Sequence, residues 1–252
     1  MTIVARLRAA GCVFAEDEAR LLSAEARTEA ELDTMVQRRV DGEPLEVILG
    51  WAEFCGLRVV VEPGVFVPRR RSELLVRHAV TLARPGAVVL DLCCGTGALG
   101  AAVAARAGAI RLHAADIEPA AVRCARANVA DAGGEVYEGD LFAPLPATLR
   151  GHIDVLIVNA PYVPTDAIAM MPPEARDHEP RVALDGGQDG VDVHRRVAAE
   201  APQWLAPGGH LLIETGESQA RHTAEAMAHN GLTPEVCTDD ELYATIVVGA
   251  GG

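Results

Sequence analysis

Short apolar runs alternate with amphipathic stretches along the last two thirds of the chain. The runs that predict strands cover 87–93, 110–116, 135–140, 154–160, 210–216, 234–238 and 245–250. Helical spacing of apolar residues, three and four apart, separates most of them, at 98–107, 119–131, about 190–205 and 217–230. Near-continuous apolar strands joined by helices are typical of a parallel sheet covered on both faces. The pattern predicts an α/β fold with a mostly parallel seven-stranded sheet.

The last two strand candidates differ from the others because no helix separates them. They predict an antiparallel pair that closes one edge of the sheet. This departs from a plain dinucleotide-binding fold and is typical of Rossmann-like class I methyltransferases.

The first part of the chain has a different pattern. Residues 1–43 show helical spacing of apolar positions, and Gly42 and Pro44 interrupt it. Residues 45–67 are rich in β-branched residues around Pro63-Gly64, which predicts a β-hairpin with its turn there. We therefore divide the chain into a small helical N-terminal region (1–43), a β-hairpin linker (44–71) and a main α/β domain (72–252).

Composition and charge exclude several classes of protein. The formal net charge is −14 and the chain has no lysine, which argues against a partner held by phosphate neutralisation, such as nucleic acid. The six cysteines form no CxxC pair and lack zinc-ligand spacing, so we expect no metal. No apolar run approaches 18 residues, so we expect no membrane contact and a cytoplasmic protein. We expect the protein to be a monomer or a weak dimer.

The first strand of the main domain leads into a candidate cofactor loop. Ligands of open parallel sheets bind beyond the carboxyl ends of the strands, where glycines let the backbone approach closely. The next two strands end at Asp116, placed to accept hydrogen bonds from ribose hydroxyls, and at Asp140, placed to accept an adenine amine. The loop and strand end comprise Asp91, Leu92, Cys93, Cys94, Gly95, Thr96 and Gly97.

These acidic strand ends favour one type of cofactor. Asp91 is placed to hold a cationic amine, and the loop lacks the third glycine that a pyrophosphate requires. A cation without phosphates, S-adenosylmethionine, therefore fits better than NAD. Alternatively, each acidic residue caps a helix N-terminus. This accounts well for any one of the three acidic strand ends but less well for all three together.

The fourth strand runs into the tetrapeptide Asn159-Ala160-Pro161-Tyr162, beside the cofactor loop. A planar NH2 group is a poor nucleophile, because its lone pair is delocalised. Two acceptors, the Asn159 side-chain oxygen and the Ala160 carbonyl, would hold both N–H bonds and align the nitrogen with the methyl group. Pro161 restricts Ala160 to extended conformations, and Tyr162 offers a ring to pack on the planar group. The alternative is a strand that ends at a proline turn.

The tetrapeptide resembles the Asn-Pro-Pro-Tyr motif of enzymes that methylate glutamine amides or adenine. Within that group the chain resembles the protein N5-glutamine methyltransferases that modify release factors. Residues 64–76 resemble the family's IPR…TE-LLV block, and residues 178–196 its EP-x-x-AL-x-GG-x-DG block. The segment 44–64 resembles the hairpin that links the family's two domains, so the resemblance covers roughly residues 38–250.

The resemblance implies a role for individual residues. The implied contacts with S-adenosylmethionine, and with its product S-adenosylhomocysteine, fall on Cys93–Gly97, Asp116, Asp140, Leu141 and Asn159. The implied glutamine contacts fall on Asn159, Ala160, Pro161 and Tyr162. The N-terminal region would dock the protein substrate.

The chain departs from the family pattern at four places. Ala160 replaces the first proline of the motif, and Cys93 replaces the first glycine of the cofactor loop. Leu141 stands where an aromatic residue can pack on adenine, which leaves Phe142 as the candidate substitute. The helical region of about 43 residues is also shorter than expected. Gly186-Gly187-Gln188 repeats the tripeptide that is methylated in release factors, and we attribute this to chance, because the family block fixes only the two glycines.

The leading hypothesis is an S-adenosylmethionine-dependent methyltransferase that modifies N5 of a glutamine in a protein, with a release factor as the candidate substrate. The first alternative is adenine-N6 methylation of nucleic acid, which the negative charge disfavours. The second is a cofactor-binding relative without turnover, in which Ala160 and Cys93 record lost activity. Retention of Asn159 and of the acidic strand ends argues against this second alternative.

Overall fold

The computed structural model describes residues 1–252 and begins with four helices: α1 (Ile3–Ala9), α2 (Ala15–Glu25), α3 (Glu29–Val40) and α4 (Leu45–Leu49). Thr2 and Thr28 cap α1 and α3, because their hydroxyl groups accept first-turn backbone N–H groups. The buried apolar side chains of the four helices pack into a separate small core that includes Leu7, Leu22 and Val36. The assignment of this region to substrate docking stays a prediction.

A β-hairpin follows, but its turn differs from the predicted one. Strands β1 (Trp51–Phe54) and β2 (Leu57–Val60) pair antiparallel, and residues 45–49 form α4 instead of a strand. The turn lies at Cys55-Gly56, both with positive φ, of 56° and 78°. Positive φ at both positions is the pattern of a type I′ hairpin loop, and Gly56 adopts it without strain at the second position. The predicted turn at Pro63-Gly64 is wrong, because this dipeptide turns the chain only after the hairpin has ended.

The main domain contains one seven-stranded sheet in the order β5-β4-β3-β6-β7-β9-β8. Its strands are β3 (Val88–Leu92), β4 (Arg111–Asp116), β5 (Glu135–Glu138), β6 (Ile153–Val158), β7 (Leu205–Thr215), β8 (Thr233–Asp239) and β9 (Ala244–Ala250). The first five are parallel, and β9 pairs antiparallel with both β7 and β8. The predicted fold class, a mostly parallel sheet with an antiparallel C-terminal edge, is confirmed.

Helices cover both faces of this sheet. They are α5 (Glu73–Leu82), α6 (Ala98–Ala107), α7 (Pro119–Val129), α8 (Pro173–His178), α9 (Asp192–Glu200) and α10 (Ala220–His229). Two apolar cores of 23 buried residues each result, one containing Leu75 and Val103, the other containing Leu156 and Trp204. None of the helices combines the length and apolar character that crossing a membrane requires.

The strand order places a crevice at the centre of the sheet. β3 lies between β4 and β6, so the chain leaves β3 toward one side and later returns on the other. Loops diverge beyond the carboxyl ends of the strands at such a reversal, and ligands of open α/β sheets bind there. The loop after β3 and the tetrapeptide after β6 therefore face the same crevice.

Candidate functional site

A cavity of about 900 Å³ opens at this crevice. Most of the predicted site residues line it: Cys93, Cys94, Gly95, Thr96, Asp116, Asp140, Leu141, Asn159, Ala160, Pro161 and Tyr162. Asp91 and Gly97 do not. The sequence prediction thus identified one connected surface, formed by the ends of four parallel strands, with two residues that lie behind it.

Asp91 lies beneath the cofactor loop rather than in the cavity. Its side chain is fully buried, and its Oδ2 accepts the Gly100 N–H at 2.8 Å near the start of α6. Burial raises the pKa of this carboxyl to about 8. The direct contact predicted between Asp91 and a cationic amine is therefore not supported, and Asp91 instead joins β3 to the helix that follows.

Gly97 also positions the loop from behind. Its φ is +73°, and a Cβ there would lie 3.1 Å from the Cα of Ala125 on α7. Only glycine combines this left-handed backbone with such close helix packing. The second glycine of the motif is thus explained by packing rather than by contact with the cavity.

The cofactor loop is tied to the end of β4 through Asp116. Its Oδ2 accepts the Gly95 N–H at 2.8 Å, and its Oδ1 accepts the Glu118 N–H at 2.9 Å. Burial raises the pKa of Asp116, against the lowering effect of these N–H donors. Each carboxylate oxygen can accept more than one hydrogen bond, so Asp116 can hold the loop and still face a ligand hydroxyl.

Cys93 occupies a strained backbone position in this loop. Its φ of 58° lies in the left-handed region that favours glycine, the residue of the family pattern at this position. The side chain fits within the cavity wall, and burial keeps the pKa of its thiol far above the ordinary value. Cys93 thus lines the cavity with a thiol whose raised pKa favours the protonated form.

The end of β5 contributes Asp140 and Leu141. The Asp140 Oδ2 accepts Arg196 Nη2 at 2.6 Å, so a cation from α9 reaches the cavity edge. Leu141 lines the cavity, but Phe142 does not: it is 1% exposed and stacks on Trp204, with ring centroids 5.6 Å apart. The prediction that Phe142 replaces the missing aromatic is wrong, because its side chain is buried in the apolar core and does not line the cavity.

The tetrapeptide follows directly after β6, and its two predicted acceptors are available. Asn159 Nδ2 donates to the Ser72 Oγ at 3.2 Å, which leaves the Asn159 side-chain oxygen without a protein donor. The Ala160 carbonyl accepts no backbone hydrogen bond. Two unpaired oxygens at the cavity wall are the arrangement that a planar NH2 group requires.

Tyr162 is held at its hydroxyl group. This group donates to Glu214 Oε1 at 3.1 Å, and Arg71 Nε donates to the same oxygen at 3.1 Å. The Arg71 guanidinium carbon lies 5.7 Å from the centre of the Tyr162 ring. Ser72 and Glu214 were not predicted. A lone acidic residue within the apolar run HLLIETG is the sequence signal that identifies Glu214.

The glycine-rich loop at 186–190 packs against the tetrapeptide. A Cβ on Gly186 would lie 2.7 Å from the Tyr162 Cα, and one on Gly190 would collide with the Tyr162 carbonyl oxygen. That carbonyl accepts Gln219 Nε2 at 2.7 Å. The glycines are therefore required by packing, and Gln188 is exposed and outside the cavity lining, which fits the interpretation of Gly-Gly-Gln as chance.

A covering segment, residues 171–184, forms the outer wall of the cavity and includes α8. Two ion pairs attach it to earlier parts of the chain. Arg69 pairs with the buried Glu179, and Arg39 on α3 contacts Glu174 at 3.3 Å. Arg39 also pairs with Glu18 on α2 at 2.7 Å, so the N-terminal helices and the cavity wall share one cation.

Comparison with known proteins agrees with this geometry. Residues 56–171 match the family model "Methyltransferase small domain". The chain is 39% identical to the release factor glutamine methyltransferase of Geobacter sulfurreducens, over 85% of this chain and 75% of that protein. It is also 39% identical to the enzyme of the same name from Mycolicibacterium smegmatis, over 84% and 76% of the two chains. The chain belongs to the release factor glutamine methyltransferase family.

Further relatives place this release factor glutamine methyltransferase family member in a wider group. The 4-amino-L-phenylalanine/4-methylamino-L-phenylalanine methyltransferase of Streptomyces pristinaespiralis is 37% identical, over 73% of this chain and 65% of that one. A crystal structure of a methyltransferase from Pyrococcus furiosus matches the fold with a TM-score of 0.59 at 18% identity, over 78% and 90% of the chains. This structural match supports the fold alone.

Proposed function

We propose that this protein methylates the N5 side-chain nitrogen of a glutamine in a peptide chain release factor, with S-adenosylmethionine as the methyl donor. The observation that carries the proposal is the pair of unpaired oxygens, on the Asn159 side chain and the Ala160 backbone, at the wall of the cavity. Membership of the family supports the same substrate.

The cavity suits the proposed cofactor by the chemistry of its lining. Asp116, Glu118 and Asp140 bring carboxylates to the ends of β4 and β5, and Arg196 balances Asp140 only. This set favours hydroxyl, amine and cationic groups over phosphates. Asp116 and Asp140 would hold the cofactor together with the Cys93–Gly97 loop. When bound, S-adenosylmethionine supplies an electrophilic methyl group on a sulfonium.

The tetrapeptide provides the binding and alignment of the acceptor. Asn159 and Ala160 would each accept one N–H bond of the glutamine amide, which fixes the nitrogen and stabilises the positive charge that develops on it. The new bond joins the methyl carbon to nitrogen as the bond to sulfur breaks, and the nitrogen then releases one proton. A protonated N-methyl amide is a strong acid, so no protein base is needed.

The net charge of the protein and its N-terminal helices both favour a protein as the methyl acceptor. With a net charge of −14 the protein repels a polyanion, so we do not favour adenine in nucleic acid as the acceptor. The helices α1 to α3 would dock the protein substrate, and Arg39 connects them to the covering segment through Glu174. A docked substrate would therefore lie next to the wall of the cavity.

The proposal is tested by methyl transfer with a panel of acceptors. The protein would be incubated with tritiated-methyl S-adenosylmethionine and, separately, with a bacterial release factor, an adenine-containing duplex and 4-amino-L-phenylalanine. We expect label in the release factor only, on the glutamine of its Gly-Gly-Gln tripeptide. The matched control is the same release factor with that glutamine changed to glutamate, which offers no NH2 group.

Two outcomes would contradict the proposal. Label that persists in the glutamate-substituted release factor would mean that another residue accepts the methyl group. Label in 4-amino-L-phenylalanine and none in the release factor would mean that the site serves a small aromatic amine. Intact-mass measurement of the enzyme itself in the same reactions separates substrate methylation from self-methylation at Gln188.

A further inference from the structure

Glu214 occupies a position where an acidic residue costs stability. It follows Leu211, Leu212 and Ile213 on β7, and its side chain is 1% exposed. Its Oε2 atom is buried and has no hydrogen-bond partner. Burying a carboxylate with one unsatisfied oxygen costs free energy that an apolar residue would avoid. Apolar packing alone therefore does not account for an acidic residue at this position.

The other oxygen of Glu214 connects it to the cavity wall. Oε1 accepts both the Tyr162 hydroxyl group and the Arg71 Nε, each at 3.1 Å. Tyr162 and Arg71 line the cavity, whereas Glu214 does not. Glu214 thus acts on the cavity only through these two side chains, and Arg71 supplies the charge that offsets the buried carboxylate.

The backbone of Tyr162 is already fixed by other contacts. Gln219 donates to its carbonyl oxygen at 2.7 Å, and the glycine loop packs against its Cα. The ring has two neighbours, the His194 ring with centroids 6.4 Å apart and the Arg71 guanidinium 5.7 Å from its centre. The hydrogen bond to Glu214 fixes the ring at its hydroxyl end.

We propose that Glu214 is a positioning residue for methyl transfer, because it anchors the Tyr162 ring against which the acceptor amide packs. This inference rests on the proposed function. The strand β7 supplies no residue to the cavity lining, but through Glu214 it would control the geometry of the acceptor site. A fixed ring limits the planar amide to one orientation, which is the condition for in-line transfer.

Three variants test the role of Glu214 in turnover. Glu214→Leu removes both hydrogen bonds, and we expect kcat to fall about tenfold while the Kd of S-adenosylmethionine changes less than threefold. Glu214→Gln retains an acceptor oxygen, and we expect kcat within about threefold of the wild type. Thr245→Val is the matched control, since Thr245 on β9 is a buried polar residue of the same sheet that lies outside the cavity lining. It should leave kcat unchanged.

A double variant separates anchoring of the ring from a general packing effect. Tyr162→Phe keeps the ring and removes its hydroxyl group, so we expect a similar tenfold loss of kcat. If Glu214 acts through Tyr162, the combination with Glu214→Leu should lose about tenfold and not about a hundredfold. Additive losses, or a Glu214→Gln variant as impaired as Glu214→Leu, would overturn the proposal.

A measurement independent of turnover examines the anchor itself. The chain has three tyrosines, so 3-fluorotyrosine labelling should give three ¹⁹F resonances, with that of residue 162 assigned by Tyr162→Phe. We expect the assigned resonance to keep its position in Glu214→Gln and to shift and broaden in Glu214→Leu. An unchanged resonance in Glu214→Leu would contradict the anchor. Wild-type protein that transfers no methyl group to any glutamine would contradict the proposed function instead.

Discussion

Asn159 and Ser72 form a hydrogen bond across 87 positions of sequence, with the amide nitrogen donating to the hydroxyl oxygen at 3.2 Å. Ser72 is 1% exposed at the start of α5, so its hydroxyl group is fixed by the packing of that helix. The bond holds the Asn159 side chain at its nitrogen end, and the side-chain oxygen remains available to the acceptor.

Loss of this bond should reduce turnover without affecting the cofactor. For Ser72→Ala we expect kcat to fall about 5- to 10-fold, equivalent to about 1 kcal/mol, because the amide of Asn159 is no longer oriented. Ser72→Thr, which restores the residue of the family block, should retain activity. Steady-state kinetics with calorimetry for the cofactor would check this. Equal kcat values for Ser72→Ala and wild type would mean that the loop alone orients Asn159.

Substitution of Asn159 should have a larger effect. Asn159→Ala removes one of the two acceptors, and we expect kcat to fall roughly 10²–10³-fold, as for other directed groups that stabilise a transition state. Asn159→Asp keeps an acceptor oxygen, and the Ser72 hydroxyl group can then donate to it, so measurable activity should remain. Single-turnover methylation separates the two variants. An aspartate variant as inactive as alanine would mean that the amide must also donate to the substrate.

Asp116 should determine cofactor affinity. For Asp116→Ala we expect binding of S-adenosylmethionine to weaken by about 1.5–3 kcal/mol, because charge-assisted hydrogen bonds to the ribose are lost. The loop anchored through Gly95 also loses its acceptor. Isothermal calorimetry measures the change, with Glu138→Ala as an exposed acidic control outside the cavity lining. Unaltered affinity would remove Asp116 from the proposed site.

Asp91 should make stability depend on pH in a defined direction. Burial raises the pKa of its carboxyl from an ordinary value of 3.8 to about 8. Below about pH 4 both the folded and unfolded states are protonated there, and the contribution of Asp91 to stability is at its maximum. As the pH rises toward about 8 the unfolded state ionises first, so the free energy of unfolding falls and then levels off.

The variant Asp91→Asn removes this ionisation and keeps an acceptor for the Gly100 N–H. Urea unfolding of wild type and variant from pH 4 to pH 9 should therefore show a smaller decline for the variant. Asp131→Asn, at an exposed position, is the control and should follow the wild type. Parallel curves for all three proteins would mean that Asp91 is ionised in the folded state.

The strained loop position of Cys93 should respond to glycine. Relief of left-handed strain, about 1–2 kcal/mol, exceeds the entropic cost of glycine, about 0.5–1 kcal/mol. We therefore expect Cys93→Gly to raise the free energy of unfolding by about 0.5–1 kcal/mol, and Cys93→Val to lower it, since β-branched residues tolerate positive φ poorly. Thermal and urea denaturation measure both. Destabilisation by glycine would mean that the packing of the thiol outweighs the strain.

The strands of the main sheet, its antiparallel C-terminal edge and most of the cavity lining can be predicted from the sequence, because they depend on local pattern. Apolar runs fix the strands, and the carboxyl ends of parallel strands meet at one edge. The hairpin turn was misplaced because Pro63-Gly64 is a stronger turn dipeptide than Cys55-Gly56, and only the register of β1 with β2 decides between them. The burial of Phe142 is not visible in the spacing, because it depends on stacking with Trp204, a residue far away in the sequence.

The supporting contacts of the site could not be derived from spacing. Ser72 and Glu214 lie far in sequence from the tetrapeptide that they contact, and no short motif joins them to it. Asp91 was placed in the cavity by its position at a strand end. Its partner at Gly100, on the first turns of α6, shows that a carboxylate at such an end can face the helix instead.

Arg39 makes the N-terminal helices part of the catalytic architecture. Its guanidinium, 11% exposed, joins Glu18 on α2 to Glu174 on the covering segment. A truncated protein that starts after residue 43 would therefore lose a brace of its cavity wall together with any surface for recognising a substrate. Loss of activity in such a fragment would therefore not show that the N-terminal helices recognise the substrate. Point substitutions on the outer faces of α1 and α2 would test substrate recognition without disturbing the cavity wall.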